Sequence, residues 1–400
     1  MNILVISQRK VLPMTDGALI YSCGLLKLLK KMGAMVTLVS FTDGPDYTKS
    51  EMDELHRYVI DVHLCKLRWK STALNLSLSY PNNIRKYTRR SMIKLLQTIK
   101  QHNVFDTVVI DHLQMYEYAK LFPESRIILH THNVESDIWF EYANKCTGIM
   151  KALVNRSAKM TYSYEKKAIE TADFVTAISK SDAEKFEKMV PEKEIEVLQG
   201  YSEYSILKDE TNIRCVNNKI LFIGSYGWFP NVASAKYLVE KIMPILRKRK
   251  VAVQLFLVGK NPTQEMLDYG KKYDDIIVTG MVDSVDPYIL DCDVFVNAVC
   301  EGSGINIKMI EAMGKGIPIV TSEFGARGYE ITNGKEAYIY KNDEECADYI
   351  EKLLTDREKA LYLRTEARAF YERFNMPSKD IMRLFMGNMD SCDTRFMNDN

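Results

Sequence analysis

Two doubly wound α/β domains in tandem are predicted by this 400-residue chain. Three observations carry the prediction. The length is about two to three times that of a typical single domain. Short, continuously apolar runs alternate with segments of helical periodicity, the mark of parallel strands covered on both faces. The alternation loosens once, around Pro191–Tyr204, and then starts afresh.

The first βαβ unit is read from Ile3–Ser7, a helix whose Leu19, Cys23, Leu26 and Leu29 recur at steps of four, three and three, and Met35–Phe41. Gly33 stands where a C-terminal cap belongs. Thr107–Ile110, Arg126–His130 and Phe174–Ala177 read as further strands, with Arg85–His102 and Lys151–Thr171 as helices between them. The second series reads Lys219–Ile223, Val253–Val258, Ile276–Thr279, Val294–Asn297 and Ile317–Thr321. The expected domains are therefore 1–196 and 205–370, with a C-terminal helix over about 371–388 returning to the first. Sheets of this kind bind ligands at the carboxyl ends of their strands, and two of them facing each other make a central cleft the expected site.

Composition narrows the function. Lys and Arg number 54 against 53 Asp and Glu, which argues against a basic nucleic-acid binder. The halves differ, at +5 for residues 1–200 and −4 for 201–400. MNILVISQRK reads as a strand rather than a secretion signal, and no apolar run approaches a membrane-spanning length. The eight cysteines form no CxxC pair, so reduced thiols in a cytoplasmic protein are expected and structural zinc is not.

The densest motif is EGSGINIKMIEAMGKGIPIV, residues 301–320. A Gly302-Ser303-Gly304 turn after a strand lets backbone approach a ligand, and the helix after it offers N–H groups that lack intrahelical partners, a cradle for diphosphate. Lys308 and Glu311, three apart, share a helical face, where a cation suits phosphate and a carboxylate suits ribose hydroxyls. Lysine in a first turn opposes the helix dipole, and Lys before Glu is the weaker ion-pair order. Asp291-Cys292-Asp293 spells DxD, a metal-diphosphate motif elsewhere, but Asp293 precedes a buried strand and is read as structural. Neither βα turn has GxGxxG, so a dinucleotide cofactor is not expected.

Residues 301–328 resemble the donor-site segment of glycosyltransferase family 4, retaining enzymes of the GT-B fold, in the subgroup with GSGI, Lys and Glu-Ala-Met. IGSYGWFPN (223–231), LVGKNP (257–262), VTGMVDSVDPYILDCDVFV (278–296), HNVES (132–136) and YEKKAIETADFVTAISKSD (164–182) are similar to that family as well. The resemblance spans about residues 1–375.

The resemblance implies a sugar transfer with retention from a nucleoside diphosphate sugar to a hydroxyl of a glycan or lipid-linked acceptor, metal-independent and with no cofactor. It places Glu311 on the nucleotide ribose as the second carboxylate of E-x7-E, whose first position here is Ser303. Ser225, Tyr226, Gly227 and Trp228 occupy the region where many members carry an Arg and a Lys for diphosphate, so Lys308 is the substitute. His132 matches the histidine facing the donor sugar; its other reading is a cap or packing residue. The donor set is completed by Gly17, Gly224, Ser225, Tyr226, Met281, Val282, Ser303, Gly304 and Ile305, with Thr15 and Asp16 in the same loop as Gly17. Asp111, His112 and Glu135 are candidates for the acceptor, and solvated loop residues are the alternative for the first two. Asn133 and Ser136 are expected to cap a helix from Asp137.

From Lys66 to Lys100 nine cations and no acidic residue are interleaved with aromatic and aliphatic side chains. The expectation is attachment to an anionic membrane surface at the cytoplasmic face, against the alternative of a solvated face. A GT-B epimerase or hydrolase, and a non-catalytic nucleotide-sugar-binding homologue, are the rival readings.

Overall fold

The computed structural model describes residues 1–14, 17–67, 80–198, 201, 204, 216–301, 306–375 and 379–387. Thr15, Asp16, Ser303, Gly304, Ile305 and the stretch from Arg68 to Ser79 lie outside the described residues. The chain divides into two compact units, Met1–Ser202 with Pro377–Asn400, and Glu203–Met376.

The first unit is built on seven parallel strands: β1 (Asn2–Ser7), β2 (Met35–Thr42), β3 (Asp61–Lys66), β4 (Thr107–Asp111), β5 (Arg126–Thr131), β6 (Phe174–Ala177) and β7 (Ile195–Val197). They are ordered β3-β2-β1-β4-β5-β6-β7. Alternation along β1 explains the layering. Leu4 and Ile6 enter one apolar core, Ile3 and Val5 the core on the opposite face. The C-terminal helix Lys379–Met386 adds Ile381, Leu384 and Phe385 to that second core.

The helix read as Arg85–His102 is two helices, Asn82–Tyr87 and Arg90–His102. The buried Tyr118 explains the break: its hydroxyl donates to the Tyr87 carbonyl and accepts from the Arg89 N–H, satisfying the two groups a continuous helix would have paired.

The second unit has six parallel strands: β8 (Lys219–Ile223), β9 (Gln254–Val258), β10 (Ile276–Gly280), β11 (Val294–Asn297), β12 (Ile319–Ser322) and β13 (Tyr338–Tyr340). Their order is β10-β9-β8-β11-β12-β13. Ile220 and Phe222 face one core, Leu221 the other. Gly314, on the helix Ile307–Lys315, is required by packing, because a Cβ there would stand 2.8 Å from both Tyr204 and Tyr371. In each sheet the strand order reverses at one place, between β1 and β4 and between β8 and β11. Both candidate clusters lie at the carboxyl ends of those strands.

Candidate functional site

In the first unit the cluster is organised by one buried carboxylate. Asp111 ends β4 opposite Ser7 of β1. Its Oδ2 accepts from Ser7 Oγ at 2.8 Å and Ser22 Oγ at 2.6 Å, and its Oδ1 is 2.7 Å from His132 Nε2. His112 Nδ1 lies 3.4 Å from the same Oδ1. Asp111 is fully buried and His112 nearly so, which corrects the reading of them as solvated loop residues, and Asp111 anchors its neighbours.

Around that carboxylate three imidazoles gather. The His112 and His132 rings stack at 3.8 Å with planes 19° apart, and His130 meets His132 nearly edge-on at 4.9 Å. Tyr21 approaches His132 from the first helix, also edge-on. His112 sits at φ 82°, ψ 141°, a backbone conformation that costs a non-glycine residue on the order of 1–3 kcal/mol. Its N–H is held by the His130 carbonyl at 2.9 Å.

These contacts distribute the protons. Burial would raise the Asp111 pKa, but His112 and His132 overcome it and hold the carboxyl well below its usual value. Burial pulls His112 down, and Asp111 more than reverses that, so its pKa is raised. Burial, reinforced by the neighbouring His112, lowers His132 to about 4 despite Asp111. Asp111 and His112 are therefore the charged pair, and His132 is neutral. As a neutral ring donating Nε2–H to Asp111, His132 presents Nδ1 as an acceptor. That Nδ1 is buried and has no hydrogen-bond partner among the described residues.

Glu135 joins this cluster through its field on His112, and burial raises its pKa. The helix after His132 starts at Glu135, and the capping expected of Asn133 and Ser136 is corrected. The Glu165 carboxylate accepts the N–H of Glu135 at 2.8 Å, and the N–H and hydroxyl of Ser136 at 3.2 and 2.6 Å. Gly17 opens the first helix, Gly17–Lys31.

In the second unit Lys308 and Glu311 lie in the first two turns of the helix Ile307–Lys315, which follows β11. They do not form the ion pair their spacing suggested. Lys308 Nζ donates to Asn231 Oδ1 at 2.8 Å and rides 4.4 Å above the Phe222 ring. Desolvation in these surroundings lowers its pKa to about 7, against the pull of Glu311. Glu311 instead receives Lys315 Nζ at 2.6 Å, and Lys315 also reaches Asp286 at 2.7 Å.

Asn231 is the residue that sequence reasoning missed. Its Nδ2 holds the Ser225 carbonyl at 2.9 Å, so one amide ties the β8 loop to Lys308. Gly224 is glycine because the Asn231 side chain packs on it; an added Cβ would meet Cγ at 2.8 Å. Asn231 stood inside the quoted GWFPN segment, and an amide at a helix start beside a glycine was the available signal. Tyr226, expected at the donor, is a core residue packed near Phe222. Met281 is exposed and Val282 packs partly into the core.

The DxD pair is engaged within the protein. Buried Asp293 accepts from the N–H of Asn217 and Lys219, both at 3.1 Å, and from Arg357 at 2.9 Å, while Asp291 pairs with Lys219 at 2.6 Å.

Comparison with known proteins fits this architecture. Residues 217–356 match the family described as Glycosyl transferases group 1. An uncharacterized 44.6 kDa protein in the cps region of Klebsiella pneumoniae is 23% identical over 356 residues, covering 86% of this chain and 88% of its own. HepE of Anabaena, solved with UDP-glucose, superposes with a TM-score of 0.61 at 15% identity, covering 95% of this chain and 98% of its own. Sucrose-phosphate synthase of Thermosynechococcus elongatus gives 0.64 at 14% identity, covering 96% and 97%. With two doubly wound units and this match in the second, the protein has the GT-B fold and is an enzyme of the glycosyltransferase class.

Proposed function

We propose that the protein is a retaining hexosyltransferase of family 4 that moves a sugar from a nucleoside diphosphate donor to a hydroxyl of a glycan or lipid-linked acceptor. The role is surface polysaccharide or glycolipid synthesis at the cytoplasmic face of a membrane, without a metal. The observation that carries the reading is the pair Lys308 and Glu311, each held by its own partner at the start of the helix after β11 in the segment that matches group 1. Supporting the donor and the role are HepE, solved with UDP-glucose, and the solved WaaG, described as a glycosyltransferase involved in lipopolysaccharide biosynthesis.

In this reading the bond from the anomeric carbon to the diphosphate oxygen breaks as a bond to the acceptor oxygen forms on the same face. The acceptor proton passes to the departing phosphate. Catalysis is then positioning plus neutralisation of the leaving group. Lys308 supplies the cation for that phosphate, and Glu311, fixed by Lys315, accepts from ribose. Ser303, Gly304 and Ile305, outside the described residues, are assigned to the donor by the sequence resemblance alone. His132, with a bare Nδ1, accepts a hydrogen bond from a sugar or acceptor hydroxyl, and Glu135 with His112 borders the acceptor. The segment Lys66–Lys100 contributes attraction to anionic lipid.

Incubation with a panel of UDP- and GDP-sugars, with and without a lipid-linked acceptor, tests the reading. Acceptor-dependent release of nucleoside diphosphate and an axial or equatorial linkage matching that of the donor are expected. Release at the same rate without acceptor would replace transfer by hydrolysis.

A further inference from the structure

The helix Gly148–Thr171 has two apolar faces, and its packing accounts for one. Val154, Ala158, Ala168 and Ile169 are buried in the first unit. Ile149, Met150 and Leu153 point the other way, at the tip of the hairpin this helix forms with Glu135–Lys145, and Ile149 is 79% exposed. The companion helix adds exposed Ile138 and Tyr142. A helix that only covers a sheet needs a single apolar stripe. A tip this apolar marks an interaction surface.

The charge around the tip says what it meets. From Tyr142 to Tyr164 the sequence has Lys145, Lys151, Arg156 and Lys159 and no Asp or Glu. The companion helix places Asp137, paired with Lys185, and exposed Glu141 beside Ile138 and Tyr142, so the rim is mixed there and purely cationic only over residues 142–164. Apolar side chains with such a cationic flank fit the boundary between acyl chains and anionic headgroups. Among the described residues no helix is long and apolar enough to cross a membrane, so the element would lie on a bilayer rather than span it. The same helix also touches the basic segment. Thr161 donates to Asn83 at 3.4 Å, and the Tyr164 ring meets Tyr80 edge-on at 5.7 Å. Helix Asn82–Tyr87, carrying Arg85 and Lys86, therefore borders the far half of the helix, about 20 Å along its axis from Ile149.

We infer that the hairpin tip is a membrane-insertion element: Ile149, Met150 and Leu153 enter the headgroup boundary of an anionic bilayer while the cations beside them and on Asn82–Tyr87 hold the lipid phosphates. The inference rests on the peripheral attachment proposed above and names the part of the protein that makes it resistant to salt. Charge attraction is screened by salt, whereas burial of apolar side chains is not.

Co-sedimentation of the full chain with phosphatidylcholine vesicles, with and without phosphatidylglycerol, at low and high salt, tests it. The parent is expected to bind the anionic vesicles at low salt and to keep a bound fraction at high salt. Changing Ile149, Met150 and Leu153 together to Ser should lower the high-salt partition about tenfold or more, with an unchanged melting temperature. Arg89→Glu with Arg90→Glu should weaken binding mainly at low salt. If the triple variant binds like the parent while the arginine variant does not, the tip is overturned and the attachment stands. If the parent binds no vesicle, the attachment fails and the tip with it. A parent dimer in sedimentation velocity that the triple variant disperses would make this face a contact between copies, and would also overturn the inference.

Discussion

Asp111 Oδ1 and His132 Nε2 stand 2.7 Å apart, and the same carboxylate holds Ser7 and Ser22 through its other oxygen. This arrangement fixes which nitrogen of His132 is bare. Asp111→Asn keeps the shape but removes the charge that opposes His112. Turnover is expected to fall about 10- to 100-fold with donor affinity changed little, because the group acts through His132 rather than on the nucleotide. His132→Ala should show the same split between kcat and donor affinity. Equal turnover at saturating donor and acceptor in both variants would remove the pair from the mechanism.

The backbone of His112 makes a separate prediction. At φ 82° an L side chain is strained, and glycine is not. His112→Gly should be more stable to urea than His112→Ala by about 1 kcal/mol, although glycine is ordinarily the less stable choice. A glycine variant that unfolds first would mean that the strain is absent.

Acid stability follows from the same cluster. His132 and His130 titrate near 4 and 3 when folded, both lowered from 6.5 chiefly by burial. Between those values and 6.5 the unfolded chain binds more protons, so their stabilisation is complete above 6.5 and is lost as pH falls through that window. His112, raised, runs the opposite way, stabilising below 6.5 and losing that as pH rises through its folded value. Asp111, lowered, holds its contribution until acid protonates it. Arg9, Glu135 and Tyr21 also face the cluster. Glu135 and Glu165, raised by burial, gain stability as pH falls over the same range, so the histidine contribution is read as a difference between proteins. In urea unfolding from pH 7 to 4.5 the stability of the parent relative to His130→Gln should fall, by on the order of 3 kcal/mol or less. Parallel curves for parent and variant would contradict it.

The central strands were legible because each is a short apolar run buried on both faces. The strands missed were β3, β7 and β13, the outer strands on three of the four sheet edges. Asp61–Lys66 is half polar with a single buried residue and Ile195–Val197 has only three residues, so neither carries the buried pattern. For the site, the positions of Lys308, Glu311 and His132 could be read from local motifs. Their partners could not. Asn231 is 77 residues from Lys308 and Ser7 is 104 from Asp111, and only the strand order brings them together.

If Lys308 meets the donor diphosphate as proposed, donor binding depends on protons. Its ammonium titrates near 7 before donor arrives, and a diphosphate beside it would favour the charged form. Above pH 7, binding should take up close to one proton and weaken about tenfold per pH unit. Calorimetry of a nucleoside diphosphate sugar at pH 8, in buffers of different ionisation enthalpy, reads the uptake directly. Lys308→Met should abolish it, and an uptake unchanged in that variant would assign the proton elsewhere.

Most direct is calorimetric titration of UDP and GDP into the parent, Lys308→Ala and Glu311→Ala proteins. One nucleotide is expected to bind the parent, with Glu311→Ala losing a charge-assisted hydrogen bond of about 1.5–3 kcal/mol and Lys308→Ala also binding more weakly. If both variants bound that nucleotide as tightly as the parent, the donor site would not be at the start of the helix Ile307–Lys315.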